Sequence, residues 1–179
     1  MFKWRRGRDS YMFHLAWSSQ VERTPEGVFV MLDALCDRSQ RAETMRNEMI
    51  RQGHILLAFV ENEAERVVHD SKVVVASLEP GRPQCIILVS NYGSSLMHDV
   101  AYELVQKSYD LVIFWRRSSK TRMYHSTLVS SEGRGIDVSS LSSAIAAVAG
   151  GTGGGHEHCA GMQTIVNPEV LLHRYLASK

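Results

Sequence analysis

The stretch Gly150-Gly-Thr-Gly-Gly-Gly-His-Glu-His-Cys-Ala-Gly161 lies between a segment rich in serine and alanine and a short apolar segment. Five of the chain's 13 glycines fall within its first six residues. Glycine permits positive φ and lets another group come close to the backbone. A cluster this dense between two ordered elements predicts either a slack connector or a cradle for a ligand.

Short apolar runs and helical patterns alternate on the amino-terminal side of this stretch. We expect helices over about 95–107 and 137–149, the second capped by Asp137, and a last helix from Asn167-Pro168. Buried strands are typically short apolar runs bounded by turn residues. Such runs predict strands at 54–60, 71–77, 85–90, 110–115, 123–130 and 162–166. The interleaving predicts an α/β fold around a mixed sheet of about five to six strands.

The amino-terminal third has a different character. Residues 1–23 mix aromatic side chains with arginines, which predicts an arm that packs on something. A helix is expected from Thr24-Pro25, and another over about 41–52 that ends at Gly53. We therefore divide the chain into an arm with connecting helices at 1–53 and an α/β domain at 54–179.

Composition limits the class of protein. With 44% hydrophobic residues and a net charge of +1, the 179-residue chain is typical of a soluble globular protein without overall attraction to polyanions. Its three cysteines form no paired motif, which favours an intracellular, reducing compartment, cytoplasmic or mitochondrial. No apolar run approaches the roughly 18 residues of a membrane span.

The glycine stretch does not match familiar phosphate or metal motifs. A nucleotide triphosphate loop ends in Gly-Lys-Ser/Thr, whereas His156 and Glu157 stand there in this chain. The dinucleotide fingerprint needs a strand before it, and here a helix is expected. Structural zinc uses two separated ligand pairs, and no second Cys/His pair accompanies His156, His158 and Cys159.

A phosphate cradle remains physically coherent. Consecutive glycines can turn their N–H groups toward one point and form an anion-binding nest. If residues 156–160 begin a short helix, its amino terminus adds free donors, and His156 can donate to a phosphate oxygen. The alternative, a flexible loop with a surface histidine, stays open at this point.

Residues 152–161 resemble the Gly-Gly-Gly-Gly-His-x-x-Ala-Ala-Gly signature of the C-terminal associated domain of DHH phosphoesterases, a family of RecJ-type exonucleases, nanoRNA and phosphoadenosine-phosphate hydrolases, and cyclic-dinucleotide phosphodiesterases. Upstream, Gly135-Ile-Asp-Val-Ser139 is similar to the family's Gly-x-Asp-Val-Ser. Residues 126–130 stand where the family has Ser-Leu-Arg-Ser. The pattern extends over residues 54–166, with its specific motifs in 126–161.

The resemblance implies a substrate-binding site. The substrate-binding residues that it implies are Gly153, Gly154, Gly155, His156 and Ser130. Thr152 replaces the family's first glycine, and Val129 stands where a substrate-binding arginine is expected. Such an arginine supplies a charge-assisted phosphate contact of about 1.5–3 kcal/mol. Other nucleic-acid contacts are then sought among basic residues, namely Arg116, Arg117, Lys120, Arg122 and Arg134. A solvated hairpin tip is the alternative for the first four.

The resemblance also implies a catalytic partner. Family members hold two metal ions, Mn²⁺ or Mg²⁺, in a DHH domain, and no Asp-His-His occurs in this sequence. We expect no cofactor in this chain and no catalysis by it alone. Metal-dependent phosphodiesterase or exonuclease activity would need a DHH domain supplied elsewhere. The alternative is a non-catalytic structural subunit of a larger, ribonucleoprotein-type assembly built on a degenerate associated domain.

Overall fold

The computed structural model describes residues 38–179. The expected arm at 1–23 and the helix expected from Thr24 lie outside these residues. The chain separates into two compact units, residues 1–62 and residues 63–179, and each is described by itself.

The first described element is a long helix, α1, at Gln40–His69. It passes through Gly53, so the helix end expected there is wrong, and so is the strand expected at 54–60. Gly53 and Val60 are buried whereas Ile55 and Phe59 are exposed, which is the periodicity of a helix. A short apolar run looks alike in a buried strand and in a helix, which explains the error. The domain division placed at Gly53 stays a prediction.

The second unit contains a mixed sheet of six strands, as the sequence predicted. The strands are β1 Lys72–Ala76, β2 Cys85–Asn91, β3 Leu111–Arg117, β4 Tyr124–Ser130, β5 Thr152–His156 and β6 Cys159–Thr164. Their order across the sheet is β1-β2-β3-β4-β6-β5. β2 and β3 are parallel, and all other neighbours are antiparallel. The unit also contains three α-helices, α2 Met97–Lys107, α3 Val138–Ala147 and α4 Pro168–Ala177, and a short 3-10 helix at Glu132–Arg134.

The two faces of the sheet carry different helices. Alternate strand residues such as Ile113, Leu128 and Met162 form one core with α3 and α4. Residues on the opposite face, among them Val112 and Phe114, are fully buried without belonging to that core. α2 contacts β3 and β4 and lies on this second face. β5 and β6 extend beyond it.

Helix α3 begins where the sequence placed it. The Asp137 carboxylate accepts hydrogen bonds from the backbone N–H groups of Ser139 and Ser140, at 2.9 and 3.2 Å, and from the Ser140 hydroxyl at 2.6 Å. Aspartate is favoured at this position because it satisfies donors that the first helical turn leaves free. Asn167 caps α4 in the same way through the N–H of Glu169, at 2.8 Å.

Candidate functional site

The glycine-rich stretch forms strand β5 at the edge of the sheet. Gly154 pairs with Gly161 of β6, and His156 pairs with Cys159. The expected loop is therefore wrong, because the stretch is a paired strand, and ligand binding by these residues stays a prediction. The short helix considered at 156–160 does not form, because residues 157–158 form a turn and β6 begins at Cys159. The expected strand at 162–166 begins three residues earlier than predicted.

Gly153 lets α3 pack directly on β5, and Gly151, just before β5, lies against both β6 and α3. A Cβ added to Gly153 would lie 2.4 Å from the carbonyl oxygen of Ser142, and one added to Gly151 would lie 2.5 Å from that of Gln163. The backbone N–H of Gly151 donates to the carbonyl of Ala146 at 2.9 Å, and the Ser143 hydroxyl donates to the carbonyl of Gly153 at 2.9 Å. Helix α3 thus covers β5, and these glycines are required by packing.

The consecutive glycines do not form an anion-binding nest. Gly154 and Gly155 have φ values of 157° and 153°, and both lie within a paired strand. A nest needs successive residues of αR and αL conformation, so that their N–H groups converge. Packing also requires glycine at position 155, because an added Cβ would lie 2.6 Å from Cα of Ala160. The expected nest is wrong, and binding at this strand has to come from its face.

Gly154 has a different environment from its neighbours. An added Cβ would meet no atom within 4 Å, and an added Cβ at its partner Gly161 would meet only the Ser126 carbonyl oxygen, at 3.5 Å. The register places Gly161 opposite Thr127, and Thr127 opposite Phe114, so this glycine pair lies on the α2 face of the sheet. Two adjacent strands therefore expose bare backbone beside α2.

Four side chains flank this bare backbone. On one side of the glycine pair, Thr152 of β5 is paired with Gln163 of β6, and on the other side His156 is paired with Cys159. We use the term glycine face for the pair Gly154 and Gly161 together with the flanking residues Thr152, Gln163, His156 and Cys159. Sequence reasoning missed Gln163, although alternation along β6 puts it on the same face as Gly161.

Helix α2 borders the glycine face through His98. The Sγ atom of Cys159 lies 3.4 Å from Nδ1 of His98. Partial burial lowers the pKa of His98 and raises the pKa of Cys159, which favours the uncharged form of both groups. Val129 pairs with Cys159 in the same row, so the position that lacks the expected arginine does lie on this face. Its side chain is buried.

Ser130 and His158 lie together at the end of β4. The buried Ser130 hydroxyl donates to the carbonyl of Ile136 at 3.1 Å, and its oxygen lies 3.4 Å from Nδ1 of His158. The turn that carries His158 is fixed by two backbone donors, Val138 N to Glu157 O at 2.8 Å and Ser130 N to His158 O at 3.2 Å. Ser130 thus joins β4 to the β5–β6 turn, and the structure does not bring it onto the glycine face.

The basic candidates separate into two places. Arg116, Arg117, Lys120 and Arg122 all belong to the β3–β4 hairpin and are exposed. Arg134 lies at the opposite end of β4, where its Nε donates to the buried carboxylate of Asp110 at 2.6 Å. That carboxylate also accepts from the N–H of Ile86 at 2.8 Å. Arg134 therefore has a structural partner and does not join the hairpin residues.

A cavity of about 430 Å³ lies elsewhere in the second unit, at the carboxyl end of β2. Its lining includes Glu63, Arg66 and Tyr92, and the Tyr92 hydroxyl lies 3.2 Å from the Glu63 carboxylate. The Arg66 guanidinium lowers the pKa of Glu63, so this wall of the cavity is an ion pair that is already satisfied. None of the predicted substrate-binding residues lines it. The glycine face, an open surface, remains the candidate site.

The sequence matches no protein-family model, and no curated protein matches it. Solved structures do match. A DHH domain from a protein described as a member of a family of ribosomal proteins has a TM-score of 0.62 and 14% identity, over 96% of this chain and 41% of that one. A pGpG-specific phosphodiesterase from Vibrio cholerae has a TM-score of 0.53 and 12% identity, over 97% of this chain and 62% of that one. The fold is DHH-related.

This chain spans less than two thirds of either of those two proteins. The C-Ala domain of alanyl-tRNA synthetase from Aquifex aeolicus matches with a TM-score of 0.42 and 16% identity, over 60% of this chain and 97% of that domain.

The side chains of residues 38–179 do not fit the metal pair of the DHH family. Within that range no three His, Cys, Asp or Glu residues come together as ligands for an ion. Two-metal sites need several such ligands around both ions.

No helix among the same residues is long and apolar enough to cross a membrane.

Proposed function

We propose that this chain is the substrate-binding module of a DHH-type phosphoesterase, equivalent to the family's C-terminal associated domain. Its ligand is a phosphate-bearing nucleotide or the end of a short nucleic acid, bound on the glycine face. The observation that supports this proposal is the paired, uncovered backbone of Gly154 and Gly161 beside the exposed imidazole of His156.

The chemistry of the glycine face suits a nucleotide. Two glycines without side chains leave a flat area about one strand spacing wide, roughly 4.8 Å, against which a planar base can lie. His156 at one side can donate to a phosphate oxygen, and the Gln163 amide at the other can pair with the edge of a base. Gly154 belongs to the ligand surface itself, whereas Gly153 and Gly155 contribute indirectly. Gly153 lets the strand lie close to α3, and Gly155 lets it lie close to Ala160 of β6.

Hydrolysis requires groups from outside residues 38–179. We propose that a DHH domain, in the same polypeptide or in a partner, supplies the Mn²⁺ or Mg²⁺ ions. The module then contributes affinity and orientation, which raise the rate by holding the reacting phosphate in place.

The test uses two substitutions on the glycine face of the folded protein. Gly161→Val places a side chain over the bare backbone at a position where a Cβ meets nothing closer than 3.5 Å, so the fold should survive. We expect it to abolish binding of a 5′-phosphorylated dinucleotide, measured by fluorescence anisotropy. His156→Ala should weaken binding by about 2- to 10-fold, the value of one hydrogen bond.

His173→Ala is the matched control, because His173 is exposed on α4, which packs on the other face of the sheet. It should leave affinity unchanged. Unaltered dinucleotide affinity in a folded Gly161→Val protein would contradict the proposal.

A second candidate function is a structural subunit of a larger assembly. Val73, Val75 and Ile86 are 51%, 58% and 39% exposed, and they lie together at the β1 edge of the sheet. An uncovered apolar group at a sheet edge is typical of a protein-binding surface. Val75→Lys should then release a co-purifying partner while dinucleotide affinity stays at the wild-type value.

A further inference from the structure

The β3–β4 hairpin is a dense cationic surface on a nearly neutral protein. We use the term basic hairpin for Arg116, Arg117, Lys120 and Arg122. Residues 111–131 contain no aspartate or glutamate, although the whole chain has a net charge of only +1. None of the four cations forms an ion pair with a carboxylate of residues 38–179. The positive charge of the basic hairpin is therefore available to an external anion.

The hairpin is ordered by hydrogen bonds within its own turn. Ser118 N donates to Met123 O at 2.8 Å, and Arg122 N donates to Ser118 O at 3.0 Å. The guanidinium of Arg117 lies over the ring of Tyr124, 5.7 Å from its centre, and its Nε donates to Arg122 O at 3.4 Å. The cations are therefore held on a fixed turn.

Arg122 occupies a backbone conformation that favours glycine. Its φ is 59°, and it is the one residue other than glycine with positive φ in the part of the chain that the structure describes. Side chains with a Cβ are disfavoured there by contact with the backbone. A strained position filled by a charged residue is typical of a functional site, where the side chain matters more than the local conformation.

The basic hairpin adjoins the glycine face. Arg116 pairs with His125, His125 with Gln163, and Gln163 with Thr152, so one row of the sheet connects the two. β4 runs from the hairpin directly alongside β6. A ligand on the glycine face that continues past Gln163 meets the cations next.

We propose that the basic hairpin binds the phosphate backbone of a single-stranded nucleic acid that continues from the glycine face. The choice of ligand rests on the proposed function of that face. Three of the four cations are arginines, whose planar guanidinium matches a phosphate in two parallel hydrogen bonds. The turn residues 118–122 are all polar and offer nothing to insert into a membrane, which favours nucleic acid over anionic lipid. The ligand is then longer than a dinucleotide.

The experiment compares a 5′-phosphorylated dinucleotide with a single-stranded RNA hexamer, by anisotropy at several salt concentrations. Arg122→Gly removes the charge and relieves the backbone conformation, so its melting temperature should equal or exceed that of the wild type. Hexamer affinity should nevertheless fall by about 3- to 10-fold, and the slope of log K against log salt should shrink by about 0.7. Dinucleotide affinity should not change.

Two controls accompany this variant. Arg122→Lys keeps the charge and should therefore keep the wild-type salt slope, while it loses the paired guanidinium hydrogen bonds and part of the hexamer affinity. Arg174→Ala removes an exposed charge from α4 and should have no effect on either ligand.

Three results would overturn the inference. They are a hexamer that binds no more tightly than the dinucleotide, an unchanged hexamer affinity and salt slope in Arg122→Gly, and an effect of Arg122→Gly on vesicles of anionic lipid alone. If the hexamer binds in a manner that depends on Arg122 but the dinucleotide does not bind, the basic hairpin binds nucleic acid and the proposed function of the glycine face is wrong. If Gly161→Val abolishes dinucleotide binding but Arg122→Gly has no effect on the hexamer, the proposed function of the glycine face is supported and the inference about the basic hairpin is wrong.

Discussion

Gly153 of β5 lies so close to Ser142 of α3 that no side chain fits between them. An added Cβ would be 2.4 Å from the Ser142 carbonyl oxygen, 2.5 Å from its carbonyl carbon and 2.8 Å from the backbone nitrogen of Ser143. All three are backbone atoms of a helix, which cannot move as a side chain can. The contact explains why this position of an edge strand is glycine.

Gly153→Ala should therefore destabilise the fold. Forcing a methyl group into a filled space costs about 1–3 kcal/mol. For a domain of this size the melting temperature should fall by roughly 2–4 °C per kcal/mol, as measured by circular dichroism. Gly133→Ala is the matched control, because its added Cβ meets nothing within 4 Å and its φ is not positive. If both variants melt together, the helix does not hold β5 as the structure shows.

Asp110 connects three separate segments, and its removal should be more costly than removal of its cation. Asp110→Ala leaves the N–H of Ile86 without its acceptor, at a cost of about 1–3 kcal/mol. Arg134→Ala should cost at most about 1 kcal/mol, because the Arg134 side chain is 48% exposed. Chemical denaturation of both variants measures the difference. Equal losses would mean that the ion pair, rather than the backbone hydrogen bond, carries the stability.

The Asp137 cap should make helix α3 sensitive to acid. Hydrogen bonds from the Ser140 side chain and backbone lower the pKa of Asp137 below its usual value of 3.8. A carboxyl whose pKa is lower in the folded state stabilises above the unfolded pKa, and this stabilisation is lost as the pH falls through the folded pKa. Asp137→Ala should lower the melting temperature by a few degrees at pH 7 and by less below pH 3. Asp137→Ser, which keeps a capping oxygen, should recover most of the loss.

Much of the fold could be predicted from the sequence because its signals are local. The apolar runs at β2 and β3 are bounded by turn residues, and Asp137 and Asn167 mark helix starts through their own side chains. The helix at 54–60 was missed because the unbroken apolar run at 55–60 fits a buried strand equally well. The helix continues through residues 61–69 to His69, and this length distinguishes it from a strand.

The structure of the candidate site could not be predicted from local sequence patterns. The composition of residues 150–161 identified the region, but glycine has no intrinsic preference for a strand. Its strand forms because β6 pairs with it and α3 packs on it, and both contacts are tertiary. The different environments of Gly153, which faces a helix, and Gly154, which faces open space, follow from register alone. Likewise, only the register shows that Gln163 belongs to the site and that Ser130 does not.

Asp99 should make the protein less stable as the pH rises from about 4 to about 6. Burial raises the pKa of its carboxyl from 3.8 to about 6. The folded state therefore holds a proton in this range that the unfolded chain has released, so the free energy of unfolding falls as the pH rises. Asparagine resembles the protonated acid. Asp99→Asn should raise the denaturation midpoint by an amount that grows from pH 4 to pH 6 and is constant above it. His98, whose pKa burial lowers, contributes the opposite slope in both proteins, so the difference between their urea midpoints isolates Asp99. A gain that does not vary with pH would show that the Asp99 carboxyl is solvated in the folded protein.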